Sequence, residues 1–255
     1  MCRLFGFHAL REDRVHSALV EEGNCLKKQS HEHPDGWGVA SWGGDGQPTL
    51  RFSLSPAHAD EEFDRVASGL YAKTVITHIR LASVGGIRLA NTHPFRFGRW
   101  CFAHNGTVTG FAEVKAQVEK EIAPRFRELI AGDTDSERCC ALFLTYLSAE
   151  ADLDGPVPLE PVARAAARTS RRVAALSDAA EKPSSLNFLV SDGRVMVATR
   201  RHRPLHLVSR ADAFLVASEK LCETRPWEEV PNFHMVGVGP DMRLHRWETD
   251  ALGAG

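Results

Sequence analysis

Cysteine stands second in the chain, in Met1-Cys2-Arg3-Leu4-Phe5-Gly6-Phe7. Removal of Met1 leaves one residue carrying both a thiol and a free α-amine. Their unperturbed pKa values, about 8.5 and about 7.7–8, let both groups work near neutral pH. An N-terminal amine acting as base for a nearby nucleophile is a recognised form of activation. Three further sequences carry groups that such a nucleophile needs. Thr77-His78-Ile79-Arg80-Leu81-Ala82-Ser83 runs from a β-rich stretch into a Gly-bearing loop, and Arg80 offers a planar fork of donors suited to a carboxylate. Ala103-His104-Asn105-Gly106 brings a side-chain amide next to a glycine N–H, two donors of the kind an oxyanion hole requires. Asp133-Thr134-Asp135-Ser136-Glu137 opens a predicted helix. A capping box of Thr134 and Glu137 leaves both aspartates over, and Asp135 free for a cationic amine.

Each sequence also has a plainer reading. A cysteine near a terminus is ordinarily a small buried hydrophobe. Arg80 suits a structural ion pair, Asn-Gly is the strongest short hairpin-turn signal, and the acidic cluster suits simple helix capping. Taken together, however, the groups describe one substrate. Arg80 holds a carboxylate, Asp135 an ammonium, and Cys2 faces a carbonyl whose oxygen meets Asn105 and Gly106. An α-amino-acid head with an amide some carbons away is glutamine.

The elements that must position these groups form strands, then helices, then strands. Strands are predicted at Arg3–Phe7, Trp37–Trp42, Leu50–Leu54, Thr74–Ile79 and Trp100–His104, the second and third joined as a hairpin and the last ending at the Asn105-Gly106 turn. Helical spacing marks Val15–Lys28, Glu61–Leu70, Phe111–Ile122, Arg125–Ile130, Ser136–Ala151 and Val162–Ala180, the last with a charged face read as solvated surface. Strands return at Leu186–Ser191 and Arg194–Arg200, around a type I′ signal at Asp192-Gly193, then at Leu205–Val208, Phe214–Ala217, His234–Val238 and Arg243–Trp247. This order is not a βαβ alternation and favours α+β layers. The Pro-rich stretch Asp152–Pro161 is too short to divide the chain, so one domain over 1–255 is expected.

Composition excludes several classes. The chain has 255 residues, 43% apolar and 25% charged, with a net charge of -2, which is ordinary for a globular protein and gives no basic footprint for nucleic acid. Nothing approaches the roughly 18 apolar residues of a membrane span, and the N-terminus is not a signal peptide. The six cysteines have no CxxC or framework spacing, which fits free thiols in a reducing cytoplasm. The twelve histidines show no metal-ligand spacing.

The ordered set of motifs resembles the class II, N-terminal-nucleophile glutamine amidotransferases over the whole chain. It appears as Cys2 with Gly6, Asp35-Gly36-Trp37-Gly38, Arg80 in Thr-His-x-Arg, Asn91-Thr92-His93-Pro94-Phe95, Asn105-Gly106 and Asp135. Ser185-Leu186-Asn187-Phe188 and Val216-Ala217-Ser218-Glu219 are similar to the later strands of small stand-alone members, which include an ergothioneine-pathway amidohydrolase. Larger members often read Arg-x-Ala-Thr-His-Gly, whereas Ser83-Val84-Gly85 follows Ala82 here. The resemblance implies a four-layer αββα sandwich. It implies Cys2, Asn105 and Gly106 as catalytic residues, Arg80, Ser83, His93 and Asp135 as substrate-binding residues, and no cofactor or metal. It further implies glutamine or another γ-glutamyl amide as substrate. No acceptor domain is expected before Gly255, which favours either a γ-glutamyl amide other than glutamine or a separate ammonia-accepting subunit, and homo-oligomerisation is left open. A catalytically silent glutamine-binding module is the reading of another class.

Overall fold

The computed structural model describes residues 2–43, 46–178 and 182–252. Met1, whose removal the nucleophile reading requires, lies outside them, as do Gly44 and Asp45 of the expected hairpin and the expected helix end at Ala179 and Ala180. In chain order the elements are β1 (Arg3–Arg14), α1 (Leu26–Gln29), β2 (Trp37–Trp42), β3 (Pro48–Ser53), α2 (Glu61–Gly69), β4 (Tyr71–Ile79), β5 (Phe95–Phe97) and β6 (Trp100–Thr107). Then follow α3 (Phe111–Glu121), α4 (Pro124–Arg127), α5 (Asp135–Ser148), α6 (Leu159–Ser177), β7 (Ser185–Ser191) and β8 (Met196–Thr199). The last are β9 (His206–Ser209), β10 (Ala213–Ala217), β11 (Glu228–Glu229), β12 (His234–Val238) and β13 (His245–Glu248).

The strands make two antiparallel sheets, one of seven in the order β11-β9-β10-β1-β4-β2-β3 and one of six in the order β13-β12-β8-β7-β6-β5. Period-two alternation puts side chains of one strand on two faces, and here both faces are buried. From β1, Leu4 points between the sheets with Ile76, Ala103, Leu189 and Val216. Its neighbours Phe5 and Phe7 point outward, against Phe63 of α2. On the far side, Phe102 of β6 and Phe188 of β7 pack on Phe143 of α5, within a cluster that includes Val162 of α6. Helices, sheet, sheet, helices is the αββα sandwich the resemblance implied.

Several sequence expectations change. β1 runs on to Arg14 because its ladder with β4 resumes beyond a register shift between His8 and Asp13; this extension is charged and largely exposed, so it carries no alternation. The helix expected over Val15–Lys28 is broken at Gly23-Asn24 into a π-helical turn, Ser17–Glu21, and the short α1. There Asn24 is held by hydrogen bonds with the backbone of Leu221 and Lys220. Asp192-Gly193 is not a two-residue type I′ turn: Ser191 pairs with Met196 across a four-residue loop in which Gly193 alone has positive φ, at 86°. The charged face of α6 is not plain solvated surface. Arg164 pairs with Glu150, Arg172 with Glu121, Arg168 covers the Tyr146 ring at 4.1 Å, and Arg171 donates to Thr249 O and Leu252 O.

Candidate active site

Cys2 precedes the first residue of β1, and Arg80 follows the last residue of β4. Arg3 and Ile79 are register partners, so Cys2 and Arg80 leave the same end of one strand pair, in which β1 is the sheet's central strand. Cys2 Sγ lies 3.4 Å from both Leu81 N and Leu81 O. A thiol can donate to that carbonyl, and a thiolate can accept from that N–H. Burial raises the Cys2 pKa, the Leu81 backbone and the Arg80 cation lower it, and the Asp135 carboxylate raises it. The net direction is upward, so the thiol needs a base to become a nucleophile.

Sequence reasoning expected Asn105-Gly106 to form a turn. Instead β6 continues through both, with Asn105 opposite Asn187 and Gly106 opposite Leu186 of β7. The ladder still leaves the Gly106 N–H available. On β7, Leu186 N–H bonds Arg201 O and Phe188 N–H bonds Thr199 Oγ1, so even-numbered residues turn toward β8. Odd-numbered residues therefore pair with β6, and Gly106 N–H points the opposite way, beyond the last β5 pair, Phe95 with Phe102. A Cβ on Gly106 would lie 1.9 Å from Ser185 O, so only glycine permits this approach of β6 to β7. Asn105 is 4% exposed, and its Oδ1 has no hydrogen-bond partner among the described residues.

A pocket of about 190 Å³ joins these groups, walled by Cys2, Leu81, Ala82, Ser83, Asn105, Gly106, Thr107 and Arg203. Ser83 and Thr107 meet across it, with hydroxyl oxygens 3.2 Å apart. Four of the seven residues expected from sequence, Cys2, Ser83, Asn105 and Gly106, thus share one cavity.

The other three stand behind it. Arg80 is 2% exposed; one terminal nitrogen reaches Val84 O at 3.4 Å and Gly85 O at 3.5 Å, while Nη1 is buried with no partner among the described residues. Asp135 is not left over by the helix cap: it accepts Val108 N–H at 2.7 Å and Ser136 N–H at 2.8 Å. With Ser136 Oγ donating at 3.2 Å to the same oxygen as Ser136 N–H, these use three of roughly four acceptor positions on a carboxylate. Thr134 caps α5 through Glu137 N, but Glu137 closes no capping box; its oxygens accept Ala131 N–H and Gly132 N–H instead. His93 is buried, stacked on His78 at 4.2 Å and tilted against Phe95 at 4.5 Å. Burial pushes His78 down to about 3 and His93 well below its ordinary value, so both rings are neutral at pH 7.

Three supporting residues escaped the sequence reading. Asp35 Oδ2 accepts Ala82 N–H at 2.7 Å and so fixes the loop that carries Ser83. Asn187 braces the 201–204 turn, and Arg203 reaches the pocket from that turn. Asp35 and Asn187 sit in motifs that signalled the resemblance, whereas nothing local marked Arg203. Among the described residues no group of three or more His, Cys, Asp or Glu side chains is placed to hold a metal ion.

Two stacked antiparallel sheets with helices outside make the αββα sandwich of N-terminal-nucleophile hydrolases, and within it Cys2, Asn105 and Gly106 share one pocket. Residues 1–236 match the family model described as glutamine amidotransferases class-II, and the chain belongs to that family. It is 28% identical to the "Probable glutamine amidotransferase DUG3" of Saccharomyces cerevisiae over 78% of this chain and 63% of that protein. The chain thus spans under two thirds of the yeast protein. It is also 28% identical to the gamma-glutamyl-hercynylcysteine sulfoxide hydrolase of Mycobacterium tuberculosis, over 93% of each chain. Among solved structures, a glutamine aminotransferase class-II domain protein from Silicibacter pomeroyi superposes with a TM-score of 0.70 at 24% identity, covering 97% of this chain and 98% of that one.

Proposed function

We propose that this chain hydrolyses the γ-amide of a γ-glutamyl substrate through a thioester on Cys2, as a single amidotransferase domain over residues 1–255. The observation that carries the reading is the convergence of Cys2, Asn105 and Gly106 on one pocket. Once Met1 is removed, the Cys2 α-amine, directly or through a water, takes the thiol proton. The resulting thiolate is steadied by Leu81 N–H and attacks the δ-carbonyl carbon. Negative charge moves to the carbonyl oxygen, which accepts from the Asn105 amide and Gly106 N–H; such donors are each worth about 2.7–4 kcal/mol at the transition state. The C–N bond breaks as the ammonium form of the α-amine returns a proton to the leaving nitrogen. Water then hydrolyses the thioester to glutamate. Arg80 takes the α-carboxylate with its unspent Nη1, Asp135 takes the α-ammonium with a remaining lone pair, and Ser83 donates to the head group. His93 acts from behind, packing on His78 under the Arg80 strand end.

Glutamine is the simplest substrate, with ammonia passed to a separate acceptor subunit or released. A second reading, cleavage of a larger γ-glutamyl amide, is favoured by the match to the mycobacterial hydrolase over nearly all of both chains. Relative turnover of glutamine and of γ-glutamyl amides of larger amines separates the two. Loss of all turnover in Cys2→Ala tests both, and tight glutamine binding with no glutamate released would support the silent binding module instead. No helix of the described residues is long and apolar enough to cross a membrane. A cytoplasmic site of action, with or without self-association, completes the proposal.

A further inference from the structure

Arg203 walls the Cys2 pocket but has no part in the mechanism above. It sits in the loop between β8 and β9, and that loop is tightly built. Asn187 Nδ2 donates to Arg203 O at 3.0 Å and to Pro204 O at 3.2 Å, while Asn187 Oδ1 accepts Arg201 N–H at 2.8 Å. Arg200 Nε also donates to Arg203 O, at 3.0 Å. The backbone of Arg203 is therefore fixed, whereas its side chain is uncommitted. Its Nε is buried with no hydrogen-bond partner, and no carboxylate pairs with its guanidinium among the described residues. The two arginines beside it differ, since Arg200 pairs with Glu229 and Arg201 with Asp178. A guanidinium set into a pocket wall without a counter-ion suits an anionic group of a ligand.

The position of Arg203 says which group. Arg80 lies on the Cys2 side, at the end of β4 in the seven-stranded sheet. Arg80 is not a wall of the pocket, whereas Arg203, in the loop that crosses from β8 of one sheet to β9 of the other, lines it together with Cys2, Asn105 and Gly106. A substrate whose γ-glutamyl head lies toward Arg80 and whose δ-carbon lies at Cys2 directs its leaving amine toward Arg203. The geometry points to Arg203 as a specificity residue that binds a carboxylate on the leaving amine. The substrate class is then a γ-glutamyl amino acid or γ-glutamyl peptide. This deepens the hydrolase reading above and rests on it.

The test compares γ-glutamylglycine, which has an anionic leaving amine, with γ-glutamyl methylamide, which has a neutral one. The wild-type protein is expected to favour γ-glutamylglycine in kcat/KM by about tenfold or more, as a charge-assisted pair allows. Arg203→Gln is expected to cut that ratio by about tenfold, and Arg203→Glu to shift preference toward the γ-glutamyl amide of ethylenediamine. The side chain has no protein partner to lose, so both variants keep the loop. An unchanged ratio in Arg203→Gln, or an equal fall for both substrates, overturns the assignment. Failure of the wild-type protein to cleave either substrate or glutamine sinks the hydrolase reading instead. Calorimetric binding of γ-glutamylglycine then decides for Arg203: affinity about tenfold weaker in Arg203→Gln supports the assignment, and equal affinity refutes it.

Discussion

Asn105 and Asn187 face each other across the β6–β7 ladder, and only one of them is spent on the fold. Asn187 uses both ends of its amide, accepting Arg201 N–H and donating to the carbonyls of Arg203 and Pro204. Asn105 makes no side-chain hydrogen bond to the described residues and leaves a buried Oδ1 unpaired. A native fold rarely leaves such a group without a reason. Oδ1 is an acceptor, so a ligand N–H would complete it, while the amide Nδ2 remains the donor for a ligand oxygen.

Asn105→Ala should therefore cost catalysis and little stability. The expected fall in kcat is about 10²–10³-fold with KM changed much less, the mark of an interaction made in the transition state. The unfolding midpoint should hold or rise, because a buried unpaired amide is removed. Steady-state kinetics and urea unfolding on one preparation check both halves.

Gly106→Ala should behave differently. Its Cβ would sit 1.9 Å from Ser185 O and 2.5 Å from His104 Nε2, so β6 must move away from β7. That displaces the Gly106 N–H and breaks the contact between His104 Nε2 and Ser185 O, 2.9 Å in the native fold. Both activity and melting temperature are expected to drop, with a stability loss of about 2 kcal/mol or more.

Much of this was legible in the sequence, for particular reasons. Cys2, Arg80, Asn105 and Asp135 are chemically distinctive and lie at element ends, where type and spacing made them candidates, and the fold brings Cys2 and Asn105 to one pocket. The turn expected at Asn105-Gly106 failed because local turn chemistry was overruled by pairing with β7, a partner about eighty residues away. Arg203 could not have been found locally. Its place in the pocket wall depends on the turn that Asn187 holds, while Arg200 and Arg201 beside it pair with Glu229 and Asp178. The helix expected across Gly23-Asn24 failed likewise, because Asn24 is held by the backbone of residues 220 and 221.

Asp135→Asn separates the two demands on that carboxylate. An amide in its place must turn one N–H₂ toward Val108 N–H or Ser136 N–H, which now donate to Asp135 at 2.7 and 2.8 Å. A stability loss of about 1–3 kcal/mol is expected from the unpaired donor. If Asp135 also binds the substrate ammonium, KM for glutamine should rise much more than KM for glutaramate, which lacks the α-amine. Equal changes for both substrates would leave Asp135 a purely structural role.

The buried histidines make stability fall on acidification. His8 is lowered to about 4 and His78 to about 3, both by burial. The unfolded chain, with ordinary values near 6.5, binds protons first, so stability is full above about pH 6.5 and declines as pH falls toward 3–4. At pH 5 each ring costs about 2 kcal/mol relative to pH 8. His8 bonds Thr74 Oγ1 at 2.7 Å, a contact asparagine can replace. In urea unfolding, His8→Asn should lose about 2 kcal/mol less than wild type between pH 8 and pH 5. Identical losses would contradict this.

The central claim concerns one sulfur, and intact-mass spectrometry after treatment with a diazo-ketone analogue of glutamine reads it directly. Cys139 and Cys140 are buried with their pKa values raised by burial, and Cys101 likewise, so they should not compete. The account predicts a chain lacking Met1, one adduct per molecule mapped to Cys2, activity lost in proportion to labelling, and no adduct in Cys2→Ser. A fully active protein that keeps Met1, or an inactivating adduct on another residue, would contradict it.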